Sequence, residues 1–160
     1  MAIKEGDKLP AVVLTEMVGG APTPTPLADL TKGKKVVIFA VPGAFTPTCS
    51  AKHLPGFVEQ AAALKGKGVD EVCCVSVNDV FVMNAWGKAV AVDDKVLMLA
   101  DGNGDYAKLL GLEMDGRGFG MGTRGQRFAM YVDDGVVKGL YVEEPGQFKV
   151  SSAEYVLGQI

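Results

Sequence analysis

The sequence predicts one α/β domain spanning residues 1–160, with a central mixed sheet and helices on both faces. Three observations carry this. Runs of β-branched and aromatic residues at 35–41 and 71–77 are apolar enough to be strands covered on both sides. Between them Leu54, Phe57, Val58, Ala61 and Leu64 recur at spacings of three and four, one apolar helix face. The two patterns alternate along the chain, so the connections are crossovers and the centre of the sheet is largely parallel.

Taken in order, residues 11–15 form a short strand and 19–26 a loop, because three prolines at alternate positions exclude a central strand. A strand at 35–41 is followed by a helix over 48–65, punctuated by Gly66 and Gly68. After the strand at 71–77, Ser76-Val-Asn-Asp79 caps a helix over 80–90. A strand at 96–99, a short helix at 105–110 and a glycine-rich loop at 112–124 come next. Strands at 126–132 and 136–142 are joined by the turn Asp133-Asp-Gly135, which makes the sheet's closing edge antiparallel. Ser151-Ser-Ala-Glu154 has the form of a capping box opening a last helix. There is no internal repeat and no interdomain linker.

A net charge of -3 argues against sequence-independent nucleic-acid binding, which needs a basic face. No apolar run reaches the roughly 18 residues of a membrane-spanning helix, and the first residues lack the apolar centre of a secretory signal. Three cysteines are too few for a disulfide framework, which points to a reducing compartment and a reactive thiol. The expected location is intracellular: the cytosol, or a plastid or other organelle where a transit peptide has been removed.

That thiol is Cys49, in Pro42-Gly-Ala-Phe-Thr-Pro-Thr-Cys49-Ser50, directly after a buried strand. Thr46 is a good N-cap and Pro47 a good first helical residue, which makes Cys49 the third. A thiol there faces backbone N–H groups that have no intrahelical partner, a setting that favours thiolate, the reactive form. The alternative is a small, inert core cysteine. Thr-x-x-Cys also stands where thioredoxin-like proteins carry Cys-x-x-Cys. With one thiol of that pair missing, disulfide shuffling within the motif is ruled out, and attack on an oxygen or sulfur electrophile suits it.

Pro42-x-x-x-Thr46-x-x-Cys49 resembles the peroxiredoxin signature. Val41 to Ser50, His53-Leu-Pro-Gly-Phe57, Ser76-Val-Asn-Asp79, Phe81-Val-Met-x-x-Trp86 and Gly125-Gln-Arg-Phe-Ala-Met130 resemble the type II, peroxiredoxin-5-like subfamily. Asp101-Gly-Asn-Gly and Ser151-Ser-Ala-Glu resemble its plant and algal branch. The resemblance implies a thioredoxin-like fold and reduction of hydrogen peroxide and alkyl hydroperoxides. It makes Cys49 the peroxidatic cysteine, Thr46 a hydroxyl bonded to thiolate and peroxide, Pro42 a shield over the pocket, and Arg127 the cation that activates both partners. Alternation at 126–132 leaves Arg127 open between the site and the solvent face of an edge strand; the resemblance decides for the site. Arg124, in the loop, is a candidate second guanidinium, and Arg117 is expected to be solvated.

His53, the only histidine, lies four residues after Cys49 on the same helix face, so a Cys–His nucleophile pair has to be weighed. No third group to orient it is evident, and a structural or supporting role is favoured. Cys73 and Cys74 point to opposite faces of one strand. Both are core residues, or Cys74, which matches a second cysteine of plant members, is a resolving thiol. The C-terminal resolving cysteine of animal members has no counterpart. Oxidised Cys49 then depends on an outside thiol: glutaredoxin with glutathione, or thioredoxin, by the resemblance. No cofactor and no metal is called for: Cys49, His53 and a second cysteine lack a fourth ligand and metal-type spacing. The glycine run 116–122 lacks the strand-to-helix context of a phosphate loop. Phe45, Phe81, Trp86 and Phe119 are an apolar rim, a dimer surface or core, and a homodimer is expected from the resemblance. Two other functions stay open: a peroxide-sensing interaction module using the same cysteine, and a plain thiol–disulfide oxidoreductase, which the threonine at the motif's first position weakens.

Overall fold

The computed structural model describes residues 2–160. In chain order, β1 (Val13–Val18) and β2 (Ala21–Pro26) make a hairpin, and α1 (Leu27–Thr31) leads to β3 (Lys35–Val41). A π-helical turn, Cys49–His53, runs into α2 (Leu54–Gly66), followed by β4 (Glu71–Ser76), α3 (Val80–Val90) and β5 (Leu97–Ala100). Then come α4 (Asp105–Leu110), β6 (Glu113–Asp115), a single 3-10 turn at Arg117–Phe119 and β7 (Thr123–Gly125). β8 (Phe128–Asp133), β9 (Val136–Val142) and α5 (Ala153–Gln159) close the chain.

Seven strands form one mixed sheet in the order β2-β1-β5-β4-β3-β8-β9. β3, β4 and β5 are parallel, and antiparallel strands flank them on both sides. The two-residue period sorts the central strands into two cores. Val37, Phe39, Val41, Val72, Cys74 and Ala129 face α2, α3 and α5; Val36, Ile38, Ala40, Cys73, Val75 and Met130 face the side of α1 and α4. Leu54, Phe57, Ala61 and Leu64 are the buried stripe of α2, as the spacing predicts. Phe57 stacks on Phe39 with ring centroids 4.0 Å apart. Asp79 caps α3 by accepting from the Val82 N–H at 2.9 Å.

Four expectations need correcting. Residues 21–26 are a strand, not a loop. β2 is the sheet's outermost strand, and Pro22, Pro24 and Pro26 fall opposite Met17, Thr15 and Val13 in a register that bonds only the alternate positions. Every missing N–H therefore points to solvent, and the rule against proline holds only for central strands. The 112–124 loop contains a small β6–β7 ladder, its strands bridged by the tight turn of the glycine run. The last helix is capped by Ser152, which accepts from the Tyr155 N–H, not by Ser151. Ser151 is buried and bonded elsewhere. Finally, β8 is an interior strand and begins at Phe128, so Arg127 precedes it and lies on no edge.

The π-turn has a local cause. Pro55 has no N–H and its ring cannot pass the carbonyl four residues earlier. The chain widens by one residue and the Leu54 N–H returns to the Cys49 carbonyl. Phe57→Ala removes half of the ring stack under this turn; a loss of about 3–5 kcal/mol in unfolding free energy is expected, read by chemical denaturation.

Candidate active site

The site lies beyond the carboxyl end of β3, where open α/β sheets bind ligands. β3 delivers Pro42, and the register Phe39↔Ala129, Ala40↔Phe128 brings Arg127 alongside from β8. The connecting loop is tightly held. Asn78 Oδ1 accepts from the Ala44 N–H at 3.0 Å and from the Ser76 hydroxyl at 2.6 Å. Arg124 donates through Nε to the Met121 carbonyl at 2.8 Å and through Nη1 to the Pro42 carbonyl at 3.3 Å. A Cβ on Gly43 would stand 3.1 Å from that Nη1, so only glycine lets the clamp close without displacement. Phe45 takes φ 63°, a left-handed conformation costing a non-glycine residue about 1–3 kcal/mol. Its ring rests 6.4 Å from that of buried Trp86, whose Nε1–H donates to the Ser50 hydroxyl at 2.8 Å.

Cys49 opens the π-turn and is fully buried. Arg127 Nη2 donates to its sulfur at 2.9 Å, and Nη1 donates to His53 Nδ1 at 2.8 Å. The guanidinium has no acceptor, so Nδ1 must be the bare nitrogen. The proton sits on Nε2, which donates to the Ser151 carbonyl at 2.8 Å. His53 is fully buried among Phe39, Phe57 and Phe148. Burial, then the nearby Arg127 charge, lowers its pKa to about 3. It is a neutral imidazole with both nitrogens engaged, which leaves no atom to act as base toward the thiol.

Thr46 stands differently from its predicted role as a side-chain cap. Its hydroxyl donates to the Gly43 carbonyl at 2.7 Å, while its own carbonyl accepts from the Ser50 N–H at 2.9 Å. With its one proton so placed, Thr46 meets a thiol or a ligand as an acceptor. Cys74 shares the core that holds Cys49, and Cys73 faces the other. Both are fully buried, and burial pushes the Cys74 thiol well above its usual range, with Cys49 the next contributor. Arg117 is exposed and paired with Asp115. A cavity of about 360 Å³ ends on Pro42, Thr48 and Arg127, with Met114, Gln126 and Glu143 in its wall.

Sequence reasoning missed Glu143, Phe148 and Ser151. Glu143 Oε2 accepts from the N–H groups of Lys149, Val150 and Ser151 at 2.8, 2.9 and 2.8 Å and from the Ser151 hydroxyl at 2.7 Å. These bonds hold its pKa down despite its desolvation. The one signal available was a carboxylate ending an alternating strand shortly before a serine pair, a weak one.

An α/β sheet of this topology, with an arginine-bonded cysteine in the first helical turn after an interior strand, is the arrangement of a thiol-dependent redox site. The Redoxin family model matches residues 4–157. The chain is 51% identical over 161 residues to peroxiredoxin-2E, chloroplastic, of Arabidopsis thaliana, covering 98% of this chain and 68% of that one. It is 52% identical to reduced Prx3 from Vibrio vulnificus, solved in complex with hydrogen peroxide, with a TM-score of 0.95 and 98% of each chain covered. The chain therefore belongs to the Redoxin family, as a type II peroxiredoxin with a thioredoxin-like fold. It is a thiol peroxidase, which takes a peroxide as substrate and a thiol as reductant.

The neutral histidine sets a pH dependence. Above its ordinary value of 6.5 the ring is uncharged folded or unfolded; between there and about 3 only the unfolded chain binds the proton. This contribution to stability is full above pH 6.5 and is lost as pH falls through that window, by at most about 1.4 kcal/mol per pH unit. Denaturation of wild type and His53→Gln at neutral and mildly acidic pH tests it: the wild type is expected to lose more on acidification, and equal losses count against a neutral His53.

Proposed function

We propose that Cys49 is the peroxidatic thiol, that it is oxidised to a sulfenic acid, and that an external thiol restores it. The observation that carries this is the pair of bonds from Arg127, one to the Cys49 sulfur and one to His53. The thiolate attacks the terminal oxygen of the hydroperoxide. An S–O bond forms, the O–O bond breaks, and the second oxygen leaves as an alkoxide or hydroxide that takes a proton to become alcohol or water. Arg127 offers a fixed donor where thiolate charge stands and leaving-group charge grows, without reorganisation at the moment of reaction. Thr46 accepts from the peroxide O–H, which orients the O–O axis, and Pro42 walls the approach from the 360 Å³ cavity. Arg124 fixes Pro42 by its carbonyl and does not touch the reacting atoms.

The sulfenic acid condenses with a small thiol, releasing water and forming a mixed disulfide. A second thiol attacks the small-thiol sulfur of that disulfide, so the Cys49 thiolate leaves and the two external thiols depart joined as a disulfide. The reductant is glutathione with glutaredoxin, or thioredoxin. Cys74 is a core residue in this reading, since a fully buried thiol with a raised pKa supplies little thiolate. In this reading residues 1–160 make one domain, and that domain pairs as a homodimer. Exposed Phe45 and Phe81 support the dimer: they rise from the two segments that Asn78 ties together. An intracellular compartment fits three unpaired cysteines, and the organellar option is supported by relatives named chloroplastic and by peroxiredoxin-2F, mitochondrial, of Arabidopsis thaliana.

Stopped-flow oxidation by hydrogen peroxide tests the assignment. Cys49→Ser is expected to abolish it and Arg127→Ala to slow it about 100- to 1,000-fold; full activity in a folded Cys49→Ser protein sinks the proposal. Cys74→Ala is expected to keep steady turnover with either reductant, and its loss in the folded variant would make Cys74 a resolving thiol.

A further inference from the structure

Arg127 bonds both Cys49 and His53, and apart from Arg127 the His53 ring has one hydrogen-bond partner among the described residues, the Ser151 carbonyl. That carbonyl belongs to a strap, residues 144–151, which leaves β9 and returns to α5. The strap also delivers Phe148, whose ring lies 5.0 Å from His53 and 5.9 Å from the Arg127 guanidinium carbon. The side chain that gathers the strap is Glu143, through the four bonds to Oε2. Its backbone is tied to the same place, since the Glu143 N–H donates to the Arg127 carbonyl at 3.0 Å.

We propose that Glu143 is a positioning residue for the peroxidase reaction: its carboxylate sets the strap so that the Ser151 carbonyl fixes the His53 tautomer and Phe148 covers Arg127. It makes no hydrogen bond to the Cys49 sulfur and, although it also stands in the cavity wall, the role assigned to it runs through two intermediaries, the Ser151 carbonyl and His53. A charged acceptor is needed because three consecutive N–H groups and a hydroxyl converge on one oxygen, a demand that a carboxylate meets far better than a neutral group. The inference rests on the roles given above to Cys49 and Arg127.

The test uses the full chain and its single histidine, whose imidazole signal is unique in an NMR spectrum. Glu143→Ala is expected to oxidise about 10- to 100-fold more slowly, the scale of a small misplacement transmitted to a reacting group. Its His53 Nε2–H is expected to exchange rapidly with water and to lose its fixed tautomer signature. A role in stability alone would lower the denaturation midpoint without moving either readout in the folded protein. A wild-type oxidation rate, or a slowed rate with an unchanged His53 signal, overturns the proposal. If Glu143→Ala does not fold, Glu143→Asp decides, because it keeps the charge but withdraws it by one methylene. About 3- to 10-fold slower oxidation with a perturbed His53 signal is expected, and wild-type values for both overturn it. Arg127→Ala, run alongside, separates the levels. If it is slow and the Glu143 variants are not, only this inference fails; if it is also fast, the reading of Arg127 fails with it.

Discussion

A guanidinium held between a buried sulfur and a buried imidazole constrains everything around it. Arg127 cannot lose its proton and cannot accept a hydrogen bond, so each neighbour must present a lone pair to it. The Cys49 sulfur does so at 2.9 Å, and His53 does so only as the tautomer protonated on Nε2. That tautomer needs an acceptor on its far side, and the chain supplies a main-chain carbonyl, which cannot change its protonation. The arginine therefore dictates the state of the histidine, and the aromatic packing of Phe39, Phe57 and Phe148 makes the neutral state the stable one. One consequence is that the directing group for the thiol has no ionisation of its own near neutral pH.

The same constraint explains the position of the site in the sheet. β3 ends at the loop that leads to the thiol, and Arg127 immediately precedes β8, so the two bonded residues are positioned from neighbouring ends of adjacent interior strands. Interior strands are bonded on both sides and covered on both faces, which gives the donor and the sulfur the stiffest frame the fold offers. The Arg124 clamp and the Asn78 bonds extend that stiffness into the loop between them. The exception is the π-turn, where Pro55 forces a wider coil at Cys49 itself.

Much of this could be read from the residues. The two-faced strands, the stripe of α2, the Asp79 cap and the placement of Cys49 in a helix's first turn follow from short-range patterns. Arg127 did not: alternation places it on a face but says nothing of what lies opposite, and only the resemblance singled it out. Thr46 was legible as a polar residue at a helix start, but its proton goes to Gly43, a preference fixed by the turn's shape. β2 was misread because the rule against proline in strands depends on knowing which strand is outermost, a property of the whole sheet. Glu143 was illegible for a related reason: its partners are backbone groups, which every sequence has.

The prolines of β2 also bear on what the molecule can join. A strand edge with free N–H groups is a template for another chain, and the outer side of β2 offers none at Pro22, Pro24 or Pro26. The opposite edge is already occupied over its first half: Gly6 and Leu9 donate to the Val137 and Gly135 carbonyls, and the Val137 N–H returns to Asp7. Sheet-to-sheet extension, the route by which β-rich chains polymerise into fibres, is blocked along one border and half closed along the other. The border of β2 is thereby closed to this mode of joining by its own residue types, with no charged or covering element needed.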